Sequence, residues 1–277
     1  MLTAAQLKSL LRAQQLRLST RLGQHHLVDG RTIAQLARRW ILSPADTVVE
    51  VGAGLGALTE PLAERAGQVI AVEIDPRIAE VLRERLGARS NVRVVAEDIL
   101  TFPWESHPGV VAVGAIPYQI TSPILIALWE HRRTVREAWL ILQREVAQRL
   151  LARPGTKAYS RLSVLAQYGW ELERVMDVSR RAFFPQPEVD SACVHLVARR
   201  SPPVAVDDEA FFFEVVKAAF AHRRKTLANC LLDVQSRRLD REQVEELLQE
   251  IGLPASVRGE TLTLEQFAAL ANALAHH

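Results

Sequence analysis

A glycine-rich loop in the first quarter of the chain has the spacing of a nucleotide-binding turn. The apolar run 47–52 leads directly into G-x-G-x-G, in which Gly52, Gly54 and Gly56 alternate with larger residues. Glycine lets the backbone pass close to a ligand without side-chain obstruction, and such loops bind nucleotide cofactors at the carboxyl end of a parallel sheet. Tight strand-to-helix turns also use glycine, so the loop by itself leaves both interpretations open.

Two acidic residues follow at positions where further strands are predicted to end. Glu73 closes the run 69–73, about 20 residues after the loop, where an acid can accept hydrogen bonds from both ribose hydroxyls. Asp98 follows the run 92–96 and is placed to meet an adenine ring edge. Each carboxylate alone could be an exposed loop residue or a helix cap. Together with the glycines they predict an adenosyl-binding crevice.

This crevice would suit either a dinucleotide or S-adenosylmethionine. The loop reads G-x-G-x-G after Glu50, rather than G-x-G-x-x-G, and this pattern favours the methyl donor. The sulfonium makes its methyl group strongly electrophilic, so a protein has mainly to position a nucleophile in line with it.

Short apolar runs alternate with helical patterns through the first 200 residues, as in parallel βαβ units. Strands are predicted at 47–52, 69–73, 92–96, 110–113, 138–142 and 193–197, and helices at 57–66, 76–86 and 124–130. Beyond a Pro-rich linker at 199–203, only helices are predicted, at 208–221, 224–232, 241–251 and 264–275, the last opened by a capping box of Thr263 and Gln266. We therefore predict an α/β fold class over 1–200, with a small all-helical domain over 201–277. Because the crevice favours the methyl donor, we expect the first domain to be a Rossmann-like class I S-adenosylmethionine-dependent methyltransferase domain.

Composition is that of an ordinary globular protein: 277 residues, 48% hydrophobic and 24% charged. We expect a cytoplasmic protein, because no stretch has the roughly 7 to 15 apolar residues of a signal-peptide core or the roughly 18 of a membrane span. Cys193 and Cys230 are predicted to be reduced and buried, and no metal site is predicted. Arginine dominates the 34 basic residues, which fits phosphate recognition or the codon usage of a GC-rich genome.

The run 110–113 ends in Gly114-Ala115-Ile116-Pro117-Tyr118, which resembles the Asn-[Leu/Ile]-Pro-[Tyr/Phe] loop of adenine-N6 methyltransferases, with Ala115 at the Asn position. The whole chain resembles the KsgA/RsmA family of small-subunit ribosomal RNA adenine dimethyltransferases. Similar blocks occur at 22–27, 143–150, 159–164, 182–191, 223–229 and 258–262. The last three blocks argue against the related antibiotic-resistance methylases that act on large-subunit RNA, because the C-terminal parts of those proteins look different.

The resemblance implies the roles of individual residues. For S-adenosylmethionine it implies a site made of Gln24, His25, Leu27, Gly52, Gly54, Gly56, Glu73, Ile74, Asp98, Ile99 and Ala115. For catalysis it implies Ala115, Ile116, Pro117, Tyr118 and Phe183, with Tyr118 and Phe183 holding an unstacked adenine between their rings. Ordinary core packing is the alternative for the two aromatic residues.

The implied partner is the small ribosomal subunit and its RNA, contacted by a chain that we expect to be monomeric. Candidate RNA-binding cations are Arg180, Arg181, Arg223, Arg224 and Lys225, the last three at the start of a predicted helix. A solvated charged face is the other explanation for these runs.

Two departures from the family pattern fall in one pocket, since Ala115 and His25 both stand where the family has Asn. The family's Asn carbonyl and a backbone carbonyl are implied to accept the two protons of the adenine amine. Ala115 has no side-chain acceptor, which leaves the Ile116 carbonyl and either water or a neighbour such as Gln119. Two hypotheses follow: a methyltransferase of reduced rate, or an RNA-binding ribosome-assembly factor with little or no methyl transfer.

Overall fold

The computed structural model describes residues 2–16, 18, 23–222, 224–232, 234 and 240–276. By its internal packing the chain divides into two compact units. The first comprises Met1–Ala147 and Glu171–Ala198, and the second comprises Gln148–Trp170 and Arg199–His277.

The first unit is built on a mixed β-sheet with helices, which confirms the predicted α/β fold class. Its strands in chain order are β1 (His26–Leu27), β2 (Thr47–Val51), β3 (Gln68–Glu73), β4 (Val92–Ala96), β5 (Val110–Ala115), β6 (Val135–Gln143), β7 (Trp170–Val178), β8 (Phe183–Phe184) and β9 (Ser191–Ala198). Seven of them form a sheet in the order β4-β3-β2-β5-β6-β9-β7, in which β2 to β6 run parallel and β9 is antiparallel to β6. The remaining two, β1 and β8, form a small antiparallel ribbon.

The register of the central strands brings the predicted functional loops together. Val51 at the end of β2 pairs with Val72 of β3 on one side and with Gly114 of β5 on the other. The loops that follow these strands therefore leave the same edge of the sheet side by side. Glu73 in turn pairs with Ala96 of β4, which brings the loop containing Asp98 to the same edge.

Helices connect these strands and cover the sheet. They are α1 (Ala4–Ala13), α2 (Gly30–Arg39), α3 (Thr59–Ala63), α4 (Pro76–Leu86) and α5 (Thr121–Glu130), with α6 (Arg144–Leu150) at the boundary between the units. The start of α4 follows from its sequence, since the Asp75 side chain accepts a hydrogen bond from the amide of Arg77 and Pro76 occupies the first turn. The strands between the helices are almost fully buried, except β4 at the sheet edge.

The second unit is helical and has its own apolar core. It contains α7 (Arg161–Gly169), α8 (Glu209–Ala219), α9 (Leu227–Leu231), α10 (Arg241–Glu250) and α11 (Leu264–Ala275). Tyr168 stacks on Phe212 of α8, with ring centroids 5.1 Å apart, and the Tyr159 hydroxyl donates to the Leu262 carbonyl at 3.0 Å. The capping box of Thr263 and Gln266 at the start of α11 is confirmed.

The structure differs from the sequence prediction in three respects. Residues 148–170 pack with the C-terminal helices, whereas the boundary at 200 assigned them to the first domain. The strand β7 was missed because Glu171, Glu173 and Arg174 interrupt any apolar pattern along this mostly solvated strand. The helix predicted over 224–232 begins only at Leu227, so Arg224 and Lys225 lie in a turn before it. None of the described helices combines the length and the apolar character that crossing a membrane requires.

Candidate active site

The glycine loop after β2 has a backbone that side chains would obstruct. Gly52, Gly54 and Gly56 all have positive φ angles, of 68°, 54° and 86°. At Gly54 the requirement is also one of space, since a Cβ atom there would come within 2.7 Å of the Nδ1 atom of His26. The loop therefore exposes main chain, rather than side chains, at the edge of the sheet.

Glu73 ties this loop to the end of β3. One of its carboxylate oxygens accepts a hydrogen bond from the Gly54 amide at 2.8 Å, and the other accepts one from the Asp75 amide at 2.9 Å. Burial raises the pKa of Glu73, and the two amide hydrogen bonds act in the opposite direction. Each carboxylate oxygen can accept a second hydrogen bond, so the side chain can hold the loop and still bind a ligand hydroxyl.

Glu50, the acid before the loop, lies behind it. Its carboxyl is 2% exposed and accepts a hydrogen bond from the Thr59 hydroxyl at 2.5 Å. Burial raises the pKa of Glu50 to about 8, so the group is mostly protonated at neutral pH. Glu50 thus connects the end of β2 to the start of α3.

A cavity of about 600 Å³, including its open mouth, lies over the ends of β2, β3 and β4. Nine of the eleven residues predicted for the cofactor line it: Gln24, His25, Gly52, Gly54, Glu73, Ile74, Asp98, Ile99 and Ala115. Asp98 does so while its side chain caps a short 3₁₀ turn through the amide of Leu100, at 3.0 Å. The helix-cap interpretation of Asp98 is therefore confirmed, and its role toward the cofactor stays a prediction.

The other two predicted cofactor residues, Leu27 and Gly56, lie outside the described cavity lining. Leu27 is 3% exposed and pairs with Phe183 in the small ribbon. At Gly56 a Cβ atom would meet the side chain of Leu82 at 2.8 Å, so its role is the close approach of α4. His26 and Glu97 line the cavity although the sequence did not single them out.

A second, smaller cavity of about 260 Å³ adjoins the first. Its lining includes all five predicted catalytic residues, namely Ala115, Ile116, Pro117, Tyr118 and Phe183. The two cavities share Gly23, His25, Ala115 and Pro117. The predicted cofactor and catalytic residues thus lie mainly in two adjoining cavities, which share Ala115.

Tyr118 is held at one side of the smaller cavity. Its hydroxyl lies 3.0 Å from the Ser191 hydroxyl of β9, and its ring centroid is 5.8 Å from that of His25. Burial raises the pKa of Tyr118, so its hydroxyl is neutral at physiological pH. The sequence reasoning missed Ser191 as a site residue, because it lies 73 residues away along the chain.

Phe183 both packs in the core and lines the cavity. It is 7% exposed and belongs to the same apolar cluster as Trp139, Ile141 and Cys193. The two interpretations of this residue from the sequence are therefore compatible. Cys193 itself is a buried free thiol, as predicted, and burial raises its pKa to about 12.

The histidine pair at the start of the ribbon has two different environments. His25 is partly exposed, and its Nδ1 lies 2.7 Å from the carbonyl oxygen of Pro185. His26 is buried against the glycine loop, and burial lowers its pKa to about 4, so it is neutral at pH 7. The two adjacent histidines therefore differ in exposure and in environment, since only His26 is buried against the glycine loop.

The candidate RNA-binding cations lie on the surface of their own units. In the first unit, Arg180 and Arg181 are exposed in a turn just before Phe183, and the Arg180 guanidinium donates to the Glu188 carbonyl at 2.9 Å. In the second unit, Arg224 and Lys225 are exposed before α9. The third cation of that run, Arg223, lies outside the described residues.

The larger cavity has the features that S-adenosylmethionine requires. Main-chain glycines face it at β2, and carboxylates face it at the ends of β3 and β4, where ribose hydroxyls and an adenine edge would be bound. The residues present therefore fit this cofactor.

Fold and site together define a class I S-adenosylmethionine-dependent methyltransferase. Two solved structures resemble most of the chain. A dimethyladenosine transferase from Plasmodium falciparum matches with a TM-score of 0.76 and 25% identity, over 89% of this chain and 96% of that one. The 23S rRNA methyltransferase ErmE matches with a TM-score of 0.69 and 36% identity, over 90% and 99% of the two chains.

Sequence comparison identifies the family within this class. A family model described as ribosomal RNA adenine dimethylase matches residues 15–276, and the chain belongs to that family. Two relatives carry the name ribosomal RNA small subunit methyltransferase A. The protein from Geobacillus sp. (strain WCH70) is 43% identical over 92% of this chain and 91% of its own. The one from Bacillus mycoides (strain KBAB4) is 44% identical over the same shares.

Proposed function

We propose that this protein transfers methyl groups from S-adenosylmethionine to the exocyclic amines of adenines in small-subunit ribosomal RNA, forming dimethyladenosine. The observation that carries the proposal is the junction of two cavities at Ala115. One has the groups that bind a nucleotide cofactor, and the other is lined by aromatic rings suited to a base. An amine in the second cavity is then adjacent to a donor in the first.

The donor would be held by groups at three strand ends. The backbone of Gly52 and Gly54 approaches it, Glu73 accepts from its ribose hydroxyls, and Asp98 meets its adenine edge. When bound, S-adenosylmethionine supplies an electrophilic methyl group, and the electron pair of the bond that breaks remains with sulfur. Everything else in the reaction is positioning by the chain, which is where most of the rate of such a transfer arises.

The acceptor adenine would enter the smaller cavity after leaving its stack. Tyr118 and Phe183 line this cavity and replace the lost base stacking, which contributes about 1 to 3 kcal/mol per base. The backbone carbonyl of Ile116 is the acceptor for one amine proton. No loop or turn amide within the described residues donates to that carbonyl oxygen.

RNA would be held by exposed cations around the site and on the second unit. Arg180 and Arg181 precede Phe183 directly, so a phosphate bound there would lie close to the flipped base. We assign Arg223, Arg224 and Lys225, together with the helical region 201–277, to contacts with the ribosome. We further propose that the protein works in the cytoplasm as a monomer.

Two relatives named for the small subunit, at 43% and 44% identity, support that substrate over the 23S RNA named for ErmE. Ala115 is the observation that favours the second candidate, an assembly factor with little methyl transfer. Loss of one oriented polar group that acts in the transition state costs about 10² to 10³ in rate, so the activity should be slow rather than absent.

The experiment is methylation of purified ribosomal subunits that lack adenine dimethylation. Small and large subunits are incubated separately with the protein and S-adenosylmethionine, and their RNA is digested and analysed by mass spectrometry. We expect dimethyladenosine in the small-subunit RNA alone. Modification of the large subunit alone would contradict the proposed substrate, and tight binding of small subunits without any methylated adenine would favour the assembly factor.

A further inference from the structure

His25 stands at the junction of the two cavities, and a hydrogen bond fixes its chemical form. The residue lines both cavities, and its Nδ1 lies 2.7 Å from the Pro185 carbonyl oxygen. A carbonyl oxygen can only accept, so Nδ1 carries the hydrogen of this bond. In the neutral imidazole, Nε2 is then left with a lone pair.

We propose that Nε2 of His25 accepts the proton that the adenine amine releases during methyl transfer, in place of the side-chain acceptor that Ala115 lacks. The inference rests on the function proposed above and names the group that completes its site. His25 and Ala115 are the two departures from the family pattern in this pocket. The structure places both in the lining that the cavities share.

Other groups around the site are less suited to this role. The Gln119 carboxamide packs against Gly23, since a Cβ atom added at Gly23 would come within 1.9 Å of the Gln119 Oε1. Gln119 is also outside the described lining of both cavities. The Tyr118 hydroxyl is hydrogen-bonded to the Ser191 hydroxyl, and burial raises the pKa of Tyr118, which keeps that hydroxyl protonated. His26 is buried, with its pKa lowered to about 4, which makes it a weak base.

The proton is accounted for as follows. The amine lone pair forms the new N–C bond, which leaves a positive charge on nitrogen. One N–H proton passes from that nitrogen to Nε2, the methylated amine becomes neutral, and the imidazole becomes a cation. The imidazolium releases its proton to water through the open mouth of the larger cavity, and the neutral ring is ready for the second methyl transfer.

A double-mutant cycle between positions 25 and 115 tests the inference. Single-turnover methylation of small subunits at saturating donor is measured for the parent, His25→Asn, Ala115→Asn and the double variant. A proton acceptor contributes about 10² to 10⁴ in rate, so we expect His25→Asn to slow the parent at least 100-fold. In the Ala115→Asn background the same change should cost no more than about twofold. The matched control is His107→Asn, at a half-buried histidine of the first unit that is outside the described lining of both cavities.

The pH dependence of the single-turnover rate separates proton transfer from a structural role. A general base is inactive once it is protonated, so we expect the parent rate to fall at acid pH and the double variant to lack this fall. The described linings of the cavities contain five other titratable groups: His26, Glu73, Glu97, Asp98 and Tyr118. All five remain in the double variant, so an acid limb caused by any of them would persist.

Nitrogen NMR of the histidine-labelled protein gives a readout independent of activity. The His25 resonances, assigned by their absence in His25→Asn, should show Nδ1 protonated and Nε2 bare, with Nε2 shifting when an adenine-containing RNA hairpin is added. A protonated Nε2 in the neutral ring, or an equal cost of His25→Asn in both backgrounds, would overturn the inference. If no variant transfers methyl groups although donor and subunit bind, the proposed function itself fails, and this inference fails with it.

Discussion

Glu73→Gln isolates the carboxylate that holds both the glycine loop and, by our proposal, the donor's ribose. The carboxylate receives the amides of Gly54 and Asp75 at 2.8 and 2.9 Å. A carboxamide of the same shape can accept from one amide only, and its NH₂ group opposes the other. Ribose hydroxyls likewise lose a charged acceptor.

The magnitudes follow from these bonds. A hydrogen bond to a charged group contributes about 1.5 to 3 kcal/mol, so donor affinity should fall about 10- to 150-fold. A buried amide left without a partner costs about 1 to 3 kcal/mol of folding free energy. Burial raises the pKa of Glu73, which means that folding disfavours its charged form. Removing the charge therefore offsets part of the folding free energy that is lost with the unpartnered amide.

Isothermal titration calorimetry with S-adenosylmethionine measures the affinity, and thermal unfolding establishes that the variant is folded. The control is Glu80→Gln, a neutralised carboxylate on the exposed face of α4, which should bind the donor as the parent does. A folded Glu73→Gln protein with undiminished affinity would refute the assignment of Glu73 to the ribose.

Three further predictions concern neighbouring groups. Since burial raises the pKa of Glu50 to about 8, the folded state binds a proton that the unfolded chain releases near its usual pKa, so stability should decline between about pH 4.5 and 8. Glu50→Gln should remove that decline in denaturant titrations across this range. Tyr118→Ala should lower kcat/KM about 5- to 150-fold, because base stacking is removed. Tyr118→Phe removes only the hydrogen bond to Ser191 and should lower kcat/KM about fivefold. Equal losses for the two variants would contradict a stacking role. Replacing Arg180 and Arg181 with Ala should reduce the slope of log affinity for RNA against log salt concentration by about one for each phosphate that is no longer bound. Filter binding at several salt concentrations measures this slope. An unchanged slope would exclude a phosphate-binding role for this pair.

The part of the site that the sequence predicted depends on neighbouring parallel strands. Gly52, Glu73 and Asp98 follow or end three adjacent strands, and parallel strands end at one edge of a sheet, so local patterns were enough to bring them together. Ala115 was assigned to the site by the family resemblance alone, and in the structure it lies beside the glycine loop because β5 pairs with β2 on the side opposite β3.

The contacts that the sequence did not predict join distant segments. His25 bonds to Pro185 across 160 residues, and Tyr118 meets Ser191 across 73. Neither pair leaves a local pattern, since the first depends on the pairing of β8 with β1 and the second on the pairing of β9 with β6. The packing of residues 148–170 with the C-terminal helices was also missed, because it joins segments that are distant along the chain. The prolines at 202 and 203 indicate a linker, but a linker does not show which segments share a core.

The central claim is that this site transfers methyl groups to adenine although Ala115 replaces Asn. Its most direct test is the single-turnover rate of the parent on unmethylated small subunits, measured beside Ala115→Asn with donor and subunit binding verified for both. We expect dimethyladenosine from the parent and a rate for Ala115→Asn at least as high. Full binding of donor and subunit by the parent, with dimethyladenosine formed by Ala115→Asn alone, would contradict it.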